Sequence, residues 1–136
     1  MAGIHVYNRK NEQHVGEYNF PIYRPNILSN PFTHIKDKKT KAIYIVKDRD
    51  TAIDMYSKYF DTMYGTNSEF TKEIDRIYEL YKSGKDVYLE CYCSPLRCHG
   101  DVIADKLQKR LIKEKIKTIF IITLITTKHN LTISEV

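Results

Sequence analysis

The chain has 136 residues, of which 42% are hydrophobic and 29% are charged, as in an ordinary soluble globular protein rather than a fibrous or disordered one. Its formal charge of +5 predicts attraction to anions such as nucleotides, phosphates or nucleic acid. No apolar run approaches the ~20 residues of a membrane-spanning helix, and no signal-peptide pattern is present. We therefore expect a cytoplasmic protein without a membrane partner.

The first part of the chain is predicted to alternate short strands with polar loops. Residues 4–7 alternate like a strand, and residues 19–23 are predicted to be extended. Two prolines beside asparagines disfavour a helix over residues 24–32 and predict an ordered loop. A lysine-rich connector over residues 33–41 leads to residues 42–46, which are apolar enough for a strand or for a packed lead-in to a helix.

Two amphipathic helices are predicted next. Asp48 provides N-cap chemistry for the first helix, apolar residues recur at helical spacing after it, and Gly65 is expected to end it. Ser68 is expected to cap the second helix, and Gly84 is expected to end it.

A strand, a loop and a third helix follow. Residues 87–92 form an apolar run that predicts a strand, and a polar loop comes after it. An amphipathic helix is expected to run from Cys98 or Gly100 to Glu114. This order of elements is typical of the places where α/β proteins have their ligand sites.

The C-terminal part is predicted to add a last strand. Residues 118–125 are rich in β-branched side chains, which favour a strand, and residues 128–136 are expected to form a tail or a short final strand. Because helices alternate with strands, parallel pairing is expected. We therefore predict one compact domain over residues 1–136, with a Rossmann-like three-layer α/β fold and a mostly parallel sheet.

All three cysteines fall in or beside one loop, at Cys91, Cys93 and Cys98, and His99 follows the last one directly. Their odd number and tight clustering argue against a disulfide framework and predict reduced thiols. A zinc site is one interpretation, but structural zinc sites space their paired ligands more widely. A redox pair of Cys91 and Cys93 lacks the Cys-x-x-Cys geometry at a helix start. Burial of the cysteines as small apolar side chains stays open, and we predict neither a metal nor a cofactor.

The start of a helix near Cys98 offers another interpretation. Free backbone N–H groups and the helix dipole would lower the pKa of a thiol there and stabilise an anionic group of a ligand. Arg97 adds positive charge beside it. Asp101, in the first turn, could orient His99 or act as a general base, and a role as a helix cap alone stays open.

Four segments carry a family resemblance, in this order along the chain: Arg24-Pro25, Ser29-Asn30-Pro31-Phe32, Arg49-Asp50-Thr51-Ala52 and Cys91 to Asp101. With these segments the sequence resembles the phage and bacterial domain-of-unknown-function family 4326, over about residues 4–112. The chain departs from the family at Tyr23 and Ser29, where glycines are usual. The resemblance implies a fold and a site but no reaction. It is compatible with a phage origin, and a phage-encoded protein would act in the host cytoplasm.

These residues favour the binding of a nucleotide or a nucleoside derivative. The binding site would consist of the loop from Arg24 to Asn30, of Arg49, and of the helix start over residues 98–101. Arg24 or Arg49 would pair with a phosphate, and Asn30 would recognise a sugar or a base edge. Tyr92 could stack on a base.

The bound molecule would be either sequestered or hydrolysed. A hydrolase acting on a nucleotide or an N-glycosidic bond would use Asp101 or His99 as its acid/base and Cys98 as its nucleophile. A pure binder would need only the pocket. Two alternatives stay open: a phage-type inhibitor that binds a host protein, and a weak nucleic-acid binder that uses the basic residues 106–117.

Overall fold

A computed structural model of the chain describes residues 3–11, 16–36 and 42–134. Its elements are, in chain order, β1 (Ile4–Asn8), β2 (Tyr18–Pro21), β3 (Phe32–Thr33), β4 (Tyr44–Ile45), α1 (Arg49–Met63), α2 (Ser68–Lys82), β5 (Val87–Cys91) and α3 (His99–Ser134). Internal contacts divide the chain into two compact units, Met1–Asp105 and Lys106–Val136. The single domain over residues 1–136 stays a prediction. Of the predicted connector, residues 37–41 lie outside the described part of the chain.

Strand β5 is the centre of a three-stranded sheet in the order β1-β5-β2, and both pairings are parallel. A strand between two neighbours is buried over most of its length, which explains its apolar sequence. Strands β3 and β4 form a second, two-stranded sheet, also parallel. The α/β class and the mostly parallel sheet are therefore confirmed, and the Rossmann-like three-layer arrangement stays a prediction.

The core of the first unit contains side chains from all of its longer elements. Helix α1 lies against β3, and α2 lies against β5. The largest fully buried side chains come from α1, α2, β5, the beginning of α3 and the segment after β2: Tyr56, Tyr78, Phe70, Ile22, Leu28, Leu89 and Ile103 among them. The loop after β2 is thus anchored in the core by its own apolar residues.

The caps of the two middle helices fall close to their predicted positions. The Asp48 side chain accepts a hydrogen bond from the Thr51 N–H and caps α1, as predicted. The cap of α2 is Asn67, whose side chain accepts from the Phe70 N–H, so the prediction of Ser68 is wrong by one residue. Asn67 has the extended backbone that a cap requires, whereas Ser68 is already the first helical residue.

The predicted C-terminal strand is wrong, because α3 continues as a helix to Ser134. The predicted helix end at Glu114 is therefore wrong as well. No glycine or proline occurs after Gly100, so residues 115–125 contain neither of the two residue types that most strongly end a helix. The strand preference of β-branched residues is weak and depends on a neighbouring strand, whereas a helix makes its hydrogen bonds locally. None of the described helices combines the length and apolar character that a membrane span requires.

Candidate functional site

A cavity of about 320 Å³ lies in the first unit, at the end of β5. The loop after β2, the first turn of α1 and the segment from the end of β5 to the beginning of α3 all contribute to its wall. The cavity brings together seven of the eight residues predicted for the site: Arg24, Asn30, Arg49, Tyr92, Arg97, Cys98 and His99. The eighth, Asp101, is not part of the cavity wall. Parallel strands commonly present ligand sites at their carboxyl ends, which is where this cavity lies.

Arg24 lies half-buried in the wall. Its Nε donates to the Asn30 carbonyl at 2.9 Å, and its Nη2 donates to the Phe32 carbonyl at 3.4 Å. Burial lowers the pKa of the guanidinium below its ordinary value, because a charged group loses solvation inside the protein. The side chain thus braces its own loop, and an anion in the cavity would offset part of its lost solvation.

Asn30 is buried, and both ends of its amide bind backbone groups. Its Nδ2 donates to the Ala52 carbonyl in α1 at 3.1 Å, and its Oδ1 accepts from the Phe32 N–H at 2.9 Å. These bonds fix the loop to the helix. The predicted contact of Asn30 with a sugar or a base would therefore have to share an amide that the fold already uses.

Two further arginines on the wall differ in their surroundings. Arg97 is exposed, and it donates to Asp50 at 2.9 Å and to Asp54 at 3.0 Å, which attaches the loop before α3 to α1. Arg49, the first residue of α1, is half-buried. Its side chain makes no hydrogen bond or ion pair with any residue that the structure describes. Arg49 is therefore the cation on the wall that is best able to bind an anion.

The two buried cysteines of the wall, Cys91 and Cys98, titrate as a pair. A hydrogen bond from the Cys98 thiol, aided by the backbone N–H groups of Ser94 and Cys93, lowers the pKa of Cys91 to about 6. The same hydrogen bond, together with burial, raises the pKa of Cys98 well above its usual range. The expectation that the helix start lowers the pKa of the Cys98 thiol is thus wrong. The lowered pKa favours the thiolate form at Cys91 and not at Cys98.

His99 is buried, and its Nε2 lies 2.7 Å from the Ile22 carbonyl oxygen. A carbonyl only accepts hydrogen bonds, so Nε2 carries the ring proton and Nδ1 does not. Burial lowers the pKa of His99 to about 4. The ring is therefore neutral at pH 7, and it can accept a proton or a hydrogen bond but cannot serve as an acid.

Asp101 caps α3. Its Oδ2 accepts a hydrogen bond from the Cys98 N–H at 2.9 Å, which satisfies one of the free donors at the start of the helix. The residue is exposed and does not line the cavity. Of the roles that the sequence leaves open, the structure shows the cap.

Aromatic side chains also line the cavity. Tyr92 is half exposed and packs edge-on against Tyr23, with ring centroids 4.8 Å apart. The Tyr23 hydroxyl accepts from Arg9 at 3.1 Å, and Arg9 in turn pairs with the buried Glu90. Phe32 adds a third ring to the wall. Together these rings form an apolar surface of the kind on which bases stack.

Sequence reasoning missed several residues of the wall. Tyr23, Phe32 and Cys91 lie in or beside the segments that resemble the family, but their position in the cavity depends on β2 lying next to β5. His34 follows the family segment that ends at Phe32 and carries no motif of its own. The adjacency of β2 and β5 would have indicated Tyr23 and Cys91, which follow or end these strands, whereas Phe32 and His34 lie in and after β3.

Metal binding finds no support in the geometry of the described residues. Among them, no group of three or more His, Cys, Asp or Glu side chains is arranged to hold a metal ion.

The family described as Domain of unknown function (DUF4326) matches residues 5–109. The match covers most of the chain, so the chain belongs to this family, and the resemblance is confirmed. Neither a curated protein nor a solved structure matches the chain. The family description names no activity.

Proposed function

We propose that the chain binds a nucleotide or a nucleoside derivative in the cavity at the end of β5. The observation that carries this proposal is the position of Arg49, a half-buried cation without a described partner, on the wall of a cavity that also contains Tyr23 and Tyr92. A volume of about 320 Å³ lies at the lower end of the range for small-molecule sites. A small ligand with an anionic end and an aromatic end suits this wall.

The anionic end of the ligand would bind near Arg49. The first turn of α1 and the start of α3 both contribute to the wall, and helix N-termini carry partial positive charge. An arginine adds a planar, bidentate donor that matches phosphate oxygens. Burial lowers the pKa of Arg24, and the same anion would stabilise its charged form.

The aromatic end of the ligand would bind against the tyrosines. Tyr92 and Tyr23 meet at an interplanar angle of 60°, and Tyr92 keeps 45% of its surface exposed. A base stacked on the exposed face of Tyr92 would bury apolar area on both rings. Stacking tolerates different bases, so this end supports the ligand class and not one particular base.

The bound molecule would be sequestered or hydrolysed, and the wall supplies groups for either outcome. Sequestration needs only the cation and the rings. Hydrolysis would also need a nucleophile and a proton acceptor, for which Cys91 and the unprotonated Nδ1 of His99 are suited. Asp101, as the cap of α3, would act on hydrolysis only through the position of Cys98 and His99.

The test is calorimetric titration of the full chain with adenosine, AMP, ADP and inorganic phosphate. We expect saturable binding of the nucleotides, and weaker binding of adenosine because it lacks the anion. Arg49→Gln should weaken nucleotide binding by at least about tenfold, the usual effect of losing a charged hydrogen bond. Lys58→Gln is the matched control, since Lys58 is exposed on the same helix and lies outside the wall.

Two results would contradict the proposal. The first is that none of the four compounds binds at millimolar concentration. The second is that Arg49→Gln and Lys58→Gln weaken binding equally, which would mean that the total charge matters and the site does not. Native mass spectrometry of protein purified gently from its source would show directly whether a nucleotide-like mass is retained.

A further inference from the structure

The second unit carries an apolar segment that is exposed on every side. In residues 119–125 of α3, six of the seven side chains are large and apolar, and all six are exposed: Ile119, Phe120, Ile121, Ile122, Leu124 and Ile125. Globular proteins rarely expose apolar residues so densely, and such a patch usually marks a binding surface. The segment lies beyond residues 5–109, which match the family, and the cavity does not use it.

The apolar side chains surround the helix and do not form a single stripe. Residues 119–122 are four consecutive large apolar side chains, with exposed fractions between 46% and 64%. Consecutive residues of an α-helix are about 100° apart, so four of them cover the whole circumference. A rigid partner helix or groove would contact only one side of this segment, whereas acyl chains can rearrange around the part of the segment that enters the lipid.

A basic stripe precedes this segment on the same helix. Residues 106–117 contain six basic residues and one acidic residue, Glu114. Four of the six, Lys106, Arg110, Lys113 and Lys117, follow one another at spacings of three or four residues, which places them on one side of the helix. Lys109, three residues after Lys106 and four before Lys113, lies on the same side. The same spacing continues through Phe120 and Leu124, so one face of the helix carries first positive charge and then apolar surface.

We propose that this helix binds the surface of a membrane that contains anionic lipids. The apolar residues 119–125 would enter the boundary between headgroups and acyl chains, and the basic stripe over residues 106–117 would lie against the lipid phosphates. The two features point to one occupant, because an anionic lipid surface offers an apolar phase directly beside a layer of negative charge. A second copy of the chain would bring its own positive stripe and could not neutralise the first.

The length of the segment favours a position in the surface and not across the bilayer. Ten uncharged residues separate Lys117 from Lys128, and they extend about 15 Å as a helix, or half of a hydrocarbon core about 30 Å thick. Thr118, at the start of the segment, donates its hydroxyl to the Glu114 carbonyl at 2.9 Å, so its polar group is satisfied within the helix. This surface role differs from the expectation of no membrane partner, which considered only spanning helices.

The test is flotation of the full chain with two kinds of vesicle, one of phosphatidylcholine alone and one of equal parts phosphatidylcholine and phosphatidylglycerol. We expect binding to the anionic vesicles that weakens with added salt, and little binding to the neutral ones. Ile121→Gln should weaken the binding roughly tenfold, because it removes an apolar side chain without lowering helix propensity. Ile43→Gln is the matched control, since Ile43 is an isoleucine 74% exposed in the first unit.

Lys113→Glu gives a second test that does not depend on the apolar residues. We expect it to weaken binding to the anionic vesicles and to reduce the salt dependence. The proposal fails if the chain binds neither kind of vesicle or binds both kinds equally. It also fails if Ile43→Gln weakens vesicle binding as much as Ile121→Gln does. It also fails if sedimentation equilibrium shows a dimer or tetramer that Ile121→Gln dissociates while the parent chain does not float with the vesicles. Nucleotide binding by the cavity does not enter this test, so the two proposals can fail separately.

Discussion

The first unit and the C-terminal helical segment use their side chains in opposite ways. In the first unit, polar groups join distant parts of the chain: His99 binds the Ile22 carbonyl at 2.7 Å, and the Tyr56 hydroxyl binds the Leu28 carbonyl at 2.6 Å. In residues 119–125, large apolar side chains are exposed and the backbone needs only its local helix. A cavity with fixed groups requires long-range packing, whereas a surface that acts by partitioning requires only composition and a helix.

The largest expected difference in the free energy of unfolding is the one between the variants Phe70→Ala and Phe120→Ala. Phe70 is fully buried, with its ring centroid 5.4 Å from that of Phe60, and its truncation should lower the free energy of unfolding by about 3–5 kcal/mol. Phe120 is 61% exposed, and its truncation should change that free energy by less than about 0.5 kcal/mol.

Tyrosine fluorescence makes this measurement specific to the first unit. All eleven tyrosines precede residue 106, so their emission during urea unfolding reports the first unit, while far-UV circular dichroism reports both. If the two alanine variants lose equal stability, Phe120 is buried in solution as Phe70 is. Residues 119–125 would then not be an exposed apolar segment.

Acid should destabilise the first unit through His99. Its pKa of about 4 in the folded chain lies below the ordinary value of 6.5 because the ring is buried. Between these two values the unfolded chain takes up a proton that the folded chain does not, so stability is present near pH 7 and is lost as the pH falls from about 6.5 to about 4. The loss should be about 3 kcal/mol, since each unit of pKa difference corresponds to about 1.4 kcal/mol.

The matched variant for this pH dependence is His99→Gln, whose amide can still donate to the Ile22 carbonyl but does not titrate. Urea unfolding followed by tyrosine fluorescence at pH values from 4 to 7 should show a shallower loss of stability in the variant. A parallel loss in both proteins would assign the acid sensitivity to the carboxylates and would show that His99 is not buried as a neutral ring.

Much of the candidate site was predictable, because the residues that build it lie in compact motifs. Arg24, Arg49 and Tyr92 all lie on the wall of the cavity where the motifs place them. Cys91 was not predictable as the thiol with the lowered pKa. The pKa of Cys91 depends on a hydrogen bond with the side chain of Cys98, seven residues later. The helix dipole alone predicts a lowered pKa for Cys98, whose pKa is instead raised.

The fold shows the same limit. The α/β class follows from apolar periodicity, which is local, and so do the two middle helices. The state of residues 118–125 could not be read from propensity, because β-branched residues form strands only where a neighbouring strand is available. The absence of glycine and proline after Gly100 was the more reliable signal, since neither of these helix-breaking residues separates Glu114 from residues 118–125.

The smallest expected change in the free energy of unfolding comes from the loss of one hydroxyl, in a comparison of the variants Tyr56→Phe and Tyr59→Phe. The Tyr56 hydroxyl lies in the core, and its removal leaves the buried Leu28 carbonyl without that partner, so we expect a loss of about 1–2 kcal/mol in unfolding free energy. Tyr59 is half-buried on the same helix, and its hydroxyl makes no hydrogen bond with any described residue, so its removal should have almost no effect. The Tyr56 ring packs edge-on against His99, with ring centroids 5.0 Å apart, and phenylalanine keeps this ring. Tyr56→Phe should therefore lower the free energy of unfolding but change the affinity for nucleotides by less than about twofold. A loss of binding without a loss of stability would instead place the Tyr56 hydroxyl among the groups that touch the ligand.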